Sequence, residues 1–246
     1  MRIALMSDIH ANREAFTACL AHAQALAPDR FVFLGDYVGY GGDPGWVVET
    51  LMAMVERGAI ALRGNHDAAI ADGTNHMNDS AAAAIDWTRA QLGAPAREFL
   101  ARLPMTVEED GRLYVHGEGS APERWRYVED AADAWRSLGA TQAAVTVVGH
   151  VHVPAVYGLT ATNKVTSFRP TGGVAVPLLR QRRWLAVLGS VGQPRDRDPA
   201  ASYAMLDVAR AELTFHRVPY DIEAAAARIR AAGLPESLAA RLFAGR

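Results

Sequence analysis

The chain has 246 residues, enough for one large domain with a substantial core. Half of the residues are hydrophobic and 21 % are charged, a balance that excludes disorder as the main state. A net charge of -2 argues against a standing nucleic-acid or anionic-membrane partner, and the single cysteine, Cys19, excludes an internal disulfide and thiolate metal clusters.

Three segments in the first quarter share one layout: an apolar strand, a polar or glycine-rich break, then a helix. They are RIALMSD with a helix over about 12–27, RFVFLGD with one over 44–57, and AIALRGNHD followed by a more open stretch. Asp43 before Pro44 reads as a cap followed by proline at the first helical position. Strands joined through helices imply parallel pairing with right-handed crossovers. Residues 68–80, polar and without a period, read as a loop, and helices are expected over 80–92 and 95–102. MTVEED and RLYVHG are predicted strands around the turn Asp110-Gly111, followed by a helix within 122–138 and the buried strand AAVTVVGH. From residue 154 to 218 short strands succeed one another: AVYGL, KVTSF, RWLAVLG, SYAMLD and ELTFHRV. IEAAAARIRAAG and PESLAARLFAG predict two closing helices. No linker-like tract separates the two parts, so residues 1–246 read as one domain with two packed sheets and helices outside. No apolar run reaches the roughly 18 residues of a membrane span. The first residues enter a strand without a secretory h-region, so a cytoplasmic location is expected.

Ligands bind open α/β sheets at the carboxyl ends of strands, and the polar residues of this chain gather there. Asp8 and His10 follow the first strand, Asp36 the second, and Asn65, His66 and Asp67 the third. His116 follows LYV, and His150 and His152 follow VTVV. Had the strand continued, His150 and His152 would point to opposite faces; past Gly149 the backbone is free to turn both into one cavity. Imidazole with carboxylate suits manganese, iron or zinc, and a set larger than four ligands implies two metals.

The motifs DIH, GDYVGYGGDP, GNHD, VHGEG and GHVHVP, in that order, resemble those of the calcineurin-like metallophosphoesterases, in particular the bacterial branch with a GDxVGYG second motif. The later GSVGQPRDRDPAASYAMLD and VPYDIEAAAARIRAAGLP are similar to that branch too, so the likeness spans nearly the whole chain. The resemblance implies an α/β fold, a four-layer α/β/β/α sandwich of two mixed sheets flanked by helices. It implies one metal held by Asp8, His10 and His152, a second by Asn65, His116 and His150, and Asp36 bridging them. The metals would be two of manganese, iron, zinc or nickel, with manganese or iron favoured.

The implied reaction is hydrolysis of a phosphomono- or phosphodiester, with a small phosphoester or nucleotide as substrate, by in-line attack of a metal-bridging hydroxide. His66 would be the general acid or charge stabiliser; Asp67 would either orient His66 through a hydrogen bond or cap the next segment. Tyr37, Tyr40, His76 and Asn78 are candidates to touch a leaving group, and Arg195 to meet a phosphate. Two departures from the pattern are GHVH for the commoner GHTH and VHGEG for VHGSP. The second puts the Glu118 carboxylate near the site, where it would disfavour a highly anionic substrate. Rival readings are an amidohydrolase-type barrel, which also uses an HxH pair, and a metal-binding or interaction scaffold without catalysis.

Overall fold

Side chains of the first strand, β1 (Arg2–Met6), alternate between two apolar layers. Ile3 and Leu5 enter one core, Ala4 and Met6 another. That alternation fixes β1 as a strand with both faces covered, and the computed structural model, which describes residues 1–73 and 77–246, shows what covers them. On one side lie α1 (Arg13–Ala25) and α2 (Pro44–Glu56), contributing Phe16, Cys19, Val47 and Leu51. On the other lies a second sheet, contributing Tyr114, Val147, Val156 and Trp184. A third core joins the outer face of that sheet to Ala134 and Leu138 of α6 (Ala131–Gly139). The order of layers is therefore helix, sheet, sheet, helix, the expected α/β sandwich, and the eight-fold barrel is excluded.

Among the described residues there are two six-stranded sheets. In the first, β1 pairs in parallel with β2 (Arg30–Phe33), which pairs in parallel with β3 (Ile60–Ala61). Across the other edge of β1 run the antiparallel strands β11 (Ala201–Asp207), β12 (Glu212–Val218) and β9 (Ala175–Pro177). The second sheet has β4 (Thr106–Glu109) antiparallel to β5 (Arg112–Val115), then β6 (Val145–Val148) and β10 (Arg183–Val187) in parallel. It ends with the antiparallel β7 (Ala155–Leu159) and β8 (Val165–Phe168). The late strands are thus dealt to both sheets. Each sheet keeps a parallel half whose carboxyl ends point to one edge.

The structure adds to or alters the local reading at four places. Residues 68–72, expected in a loop, belong to a helix, α3 (Asn65–Asp72). Its start is held by the Asp67 carboxylate accepting from the Gly64 N–H at 2.9 Å, its body by alanines, and its end by Arg89, which donates to the carbonyls of Ala69 and Ile70. Arg89 sits on α4 (Asp79–Gln91), so this cap is tertiary and invisible to a local reading. Asp43 precedes α2 without capping it; its carboxylate turns instead to Arg13 at 3.3 Å and Arg228 at 3.5 Å. The helix expected within 122–138 is α6, whose start is capped by Asp130, with a 3-10 turn at Pro122–Arg124 ahead of it. The short edge strand β9, ending in Pro177, has no signal in the sequence, since three residues show no alternation.

Two helices close the described chain after β12: α7 (Ile222–Ala231) and α8 (Glu236–Ala244). They pack with α4 and Tyr40 through Ala81, Ala225, Ile229, Leu238 and Leu242. This places the last helix of the chain beside the loop that follows β2. The other helix, α5 (Ala94–Arg102), packs Leu100 into the first core. Among the described residues, no helix is long and apolar enough to cross a membrane.

Candidate metal centre

The loops at the carboxyl ends of β1, β2, β5 and β6 are stitched together by their backbones. Asp8 and His10 N–H donate to the carbonyls of Gly35 and Asp36, and Gly149 N–H to that of His116. Val191 and Gly192 N–H reach the carbonyls of Ser7 and Asp8, tying the 190–195 loop to the same edge. Five candidate ligands sit in left-handed backbone: Asp8 (φ 56°), His10 (49°), Asp36 (55°), His150 (67°) and His152 (65°). For residues with a Cβ this conformation costs about 1–2 kcal/mol each, and such strain collects where geometry serves a site. It also explains the HVH pair. The turn after Gly149 sends both imidazoles into the same cleft, each to a different group of ligands.

Those groups are well defined. Ligand atoms of Asp8, His10 and His152 lie within 4.8 Å of one another, and so do those of Asp36, His116 and His150. In the first, His152 Nε2 is 3.2 Å from Asp8 Oδ1 and 3.1 Å from His10 Nε2. In the second, His116 Nε2 is 3.2 Å from both His150 Nδ1 and Asn65 Oδ1. Asp36 Oδ2 stands between them, 3.8 Å from His10 Nε2 and 3.4 Å from His116 Nε2. All of the candidate carboxylates and imidazoles are buried.

The far nitrogen of every one of these imidazoles meets a backbone carbonyl. His10 Nδ1 faces Val38 O, His116 Nδ1 Leu34 O, His152 Nδ1 Gln193 O and His150 Nε2 Trp125 O, at 2.7–3.1 Å. A carbonyl can only accept, so in each neutral imidazole the proton sits on that side and the opposite nitrogen is bare toward the centre, while His116, when charged, carries its second proton there. Bare nitrogens and carboxylates packed this closely fit a cation and little else. Three imidazoles present Nε2 and His150 presents Nδ1.

The electrostatics agree. Burial works against ionising Asp8 and Asp36, yet His152 holds Asp8, and His116 with His66 hold Asp36, well below the usual carboxylate range. Burial also opposes a charge on His116, but the Asp36 and Asp8 carboxylates raise it to about 9. Burial and the neighbouring His116 push His150 down to about 3, and burial brings His66 to about 4. The carboxylates thus collect positive charge on one imidazole, the charge that a metal would replace.

His66 begins α3 beside these groups. Its backbone N–H donates to Asp36 Oδ1 at 2.8 Å, its ring packs on His10 and Tyr40, and its buried Nδ1 has no partner. Asp67 does not hydrogen-bond His66. Its carboxylate accepts from the N–H groups of Asp36 (2.8 Å), Tyr37 (3.0 Å) and Gly64, pinning the second-strand loop to the start of α3. Burial and the Asp36 charge raise its pKa to about 7.

Of the candidates to touch substrate, Tyr40, Asn78 and Arg195 line a cleft of about 110 Å³ together with Asp36, His66, His150 and His152. Asn78 also caps α4 through Ala81 N–H. Tyr37 is a correction: it is fully buried, and its hydroxyl donates to the carbonyls of Phe33 and Leu62 while accepting from Leu62 and Gly35 N–H. A ring one position from Asp36 points into the core because the loop reverses there. Glu118 is another. Its carboxylate is buried against Ser120 N–H and Oγ and paired with Arg136 and Arg126, so it adds no charge to the cleft. His76 lies outside the described residues.

Two residues, one lining the cleft and one behind its Tyr40, carry no local sequence signal. Tyr127 stacks on the His150 ring, centroids 4.1 Å apart and planes at 4°, and opens into an adjoining groove of about 700 Å³. Arg241 arrives from α8, over the Tyr40 ring.

Two six-stranded sheets carrying buried histidines and carboxylates on their common edge define a metal-assisted hydrolase. Residues 1–211 match the calcineurin-like phosphoesterase superfamily domain, so the chain belongs to that family and is a metal-dependent phosphoesterase. A metallophosphoesterase from Sphaerobacter thermophilus is 37 % identical, each chain covering 100 % of the other, with a TM-score of 0.88. An uncharacterized protein of Methanocaldococcus jannaschii is 32 % identical over 251 residues, 99 % of this chain and 98 % of its own. A hypothetical protein from Pyrococcus horikoshii shares the fold at 21 % identity and a TM-score of 0.81, covering 100 % of this chain and 98 % of its own.

Proposed function

We propose that the protein hydrolyses a small phosphomono- or phosphodiester, nucleotides included, at a pair of cations. The observation that supports this reading is Asp36 Oδ2, within 4 Å of an imidazole from each of two neighbouring ligand groups, 3.8 Å from His10 Nε2 and 3.4 Å from His116 Nε2. Asp8, His10 and His152 would hold one cation, and Asn65, His116 and His150 the other, with Asp36 shared. When bound, such a pair supplies Lewis acidity toward a phosphoryl oxygen and a lowered pKa for water, suited to in-line displacement. Imidazole and carboxylate without thiolate favour manganese or iron over a closed structural zinc.

The chain's own part is positioning and protonation. His66, which lines the cleft with its Nδ1 buried against Gly39, stabilises developing charge or gives a proton to the leaving oxygen. Asp67 acts at one remove, holding Asp36 and the start of α3. Tyr40, Asn78 and Arg195 line the cleft and would meet the substrate there. Because α8 packs against Tyr40 of this cleft, residues 1–246 work as one domain. The test is metal analysis of the purified protein with rates on mono- and bis-nitrophenyl phosphate, for the wild type, Asp36→Asn and His66→Ala. Activity with one of manganese, iron, nickel or zinc and its loss in both variants is the expected result. A wild type inert with all four metals, or a His66→Ala protein at full rate, would overturn the reading.

A further inference from the structure

Gln193 is buried, 1 % exposed, and its one carboxamide oxygen accepts from two guanidinium groups, Arg195 Nη2 at 2.9 Å and Arg241 Nη1 at 3.3 Å. Both guanidiniums also lie over the Tyr40 ring, at 5.7 and 5.9 Å from its centroid. Among the described residues, neither is within ion-pair distance of a carboxylate. The acids nearby are committed elsewhere: Asp196 and Asp198 to Arg217, Glu14 to Arg228, Asp43 to Arg13 and Arg228. Two like charges therefore share a neutral acceptor where a glutamate of the same shape would have neutralised them. Burial and the neighbouring Arg195 charge hold Arg241 below its usual range. The pair is attached to the metal centre. Arg195 N–H donates to the His152 carbonyl at 3.2 Å, and the Gln193 carbonyl faces His152 Nδ1.

We propose that Arg195 and Arg241, held by Gln193 and Tyr40, form an anion subsite for a second phosphoryl group of the substrate, beyond the one at the cations. Guanidinium forks match phosphoryl oxygens in charge and geometry, and Arg195 at the cleft wall, with Arg241 beside it on the same Gln193 oxygen, is a pair left without a counter-ion and preorganised for one. The proposal rests on the phosphoesterase reading and narrows it to substrates with two phosphoryl groups, such as phosphoanhydrides or bisphosphates. It assigns a binding role to the last helix, which lies outside the 1–211 segment matched to the family.

The test is calorimetric binding of inorganic pyrophosphate and inorganic phosphate to the metal-loaded full chain at fixed ionic strength. Gln193→Glu, Arg241→Gln and Arg241→Lys are compared with the wild type; the cations are common to all, so their share cancels in the comparison. The ratio of pyrophosphate to phosphate affinity should fall about tenfold in Gln193→Glu and Arg241→Gln, and recover in part in Arg241→Lys. In Gln193→Glu both arginines remain and only their charge is answered, so a fall there cannot come from lost packing. An unchanged ratio in both variants, or an equal loss for the two anions, would overturn the proposal, the latter because the pair would then serve a single phosphoryl group or a free phosphate. If the wild type cleaves no ester yet shows the ratio and its loss, the subsite stands and the hydrolytic reading fails.

Discussion

His10 and His152 are 142 positions apart in the chain, and their Nε2 atoms are 3.1 Å apart in the fold, each with Nδ1 turned to a backbone carbonyl. Two bare imidazole nitrogens at that separation repel until a cation lies between them and the Asp8 carboxylate. Chelation should therefore destabilise the protein. A cation present at about 1,000 times its Kd adds about 4 kcal/mol. For a chain of this size that is about 10 °C in the thermal midpoint. Calorimetric melting with and without chelator measures it; equal midpoints would refute cation-linked stability.

Metal binding should also release protons. The carboxylates keep His116 protonated up to about 9, so near pH 7 a cation at the second group displaces that proton. The sign follows: apparent affinity rises with pH, by about tenfold per unit for one proton released, and levels off above the raised pKa. Titrations in buffers of different ionisation enthalpy count the protons directly. A proton count of zero at pH 7 would contradict the charge assigned to His116.

Asp67→Asn separates two roles for this carboxylate. Acceptance from three backbone N–H groups means that an amide, with one accepting oxygen, loses at least one charge-assisted bond and about 2–3 kcal/mol. Because Asp36 is among the pinned residues, metal affinity should fall about tenfold as well. Had Asp67 served only to orient His66, turnover would drop while stability and metal content stayed at the wild-type level. Denaturant unfolding and metal titration tell the two apart.

The strand-end ligands were legible in the sequence because a strand's last residue is a fixed address. Asp8, Asp36, Asn65, His116 and His150 each follow an apolar run whose period gives its direction, and parallel pairing brings those ends to one edge. What side chains do after the chain leaves the strand was less legible. Tyr37 and Glu118 stand within two residues of Asp36 and His116, yet point away from the cleft, since the left-handed turn at Asp36 and the pairing of Glu118 with Arg126 and Arg136 are tertiary facts. Helix α3 was misread for the same reason, its end being capped from α4. Arg241 has no signal in sequence because only packing of α8 on α4 and Tyr40 brings it near.

Tyr37→Phe tests that correction. Removing a buried hydroxyl that serves the carbonyls of Phe33 and Leu62 should cost about 1–3 kcal/mol in unfolding free energy. KM and kcat per folded molecule should stay close to the wild type, since the ring does not line the cleft. A rise in KM without loss of stability would return Tyr37 to the substrate.

Gly149 controls the approach of the first and sixth strands. A Cβ there would collide with Ser7 Oγ and come within 2.7 Å of Asp8 Oδ2, the carboxylate that also accepts from His150 N–H. Gly149→Ala must therefore push the two loops apart, at about 1–3 kcal/mol of overpacking. The displacement falls on Asp8 and on His150 and His152, which follow Gly149, so the first ligand group, with two ligands moved, should lose affinity by about tenfold or more, and the second, with His150 moved but Asn65, His116 and Asp36 in place, by less. Metal titration should then show two classes of site where the wild type shows similar ones. Loss of both classes together would mean that the two groups cannot be perturbed separately, and that Asp36 couples them more tightly than its position between them requires.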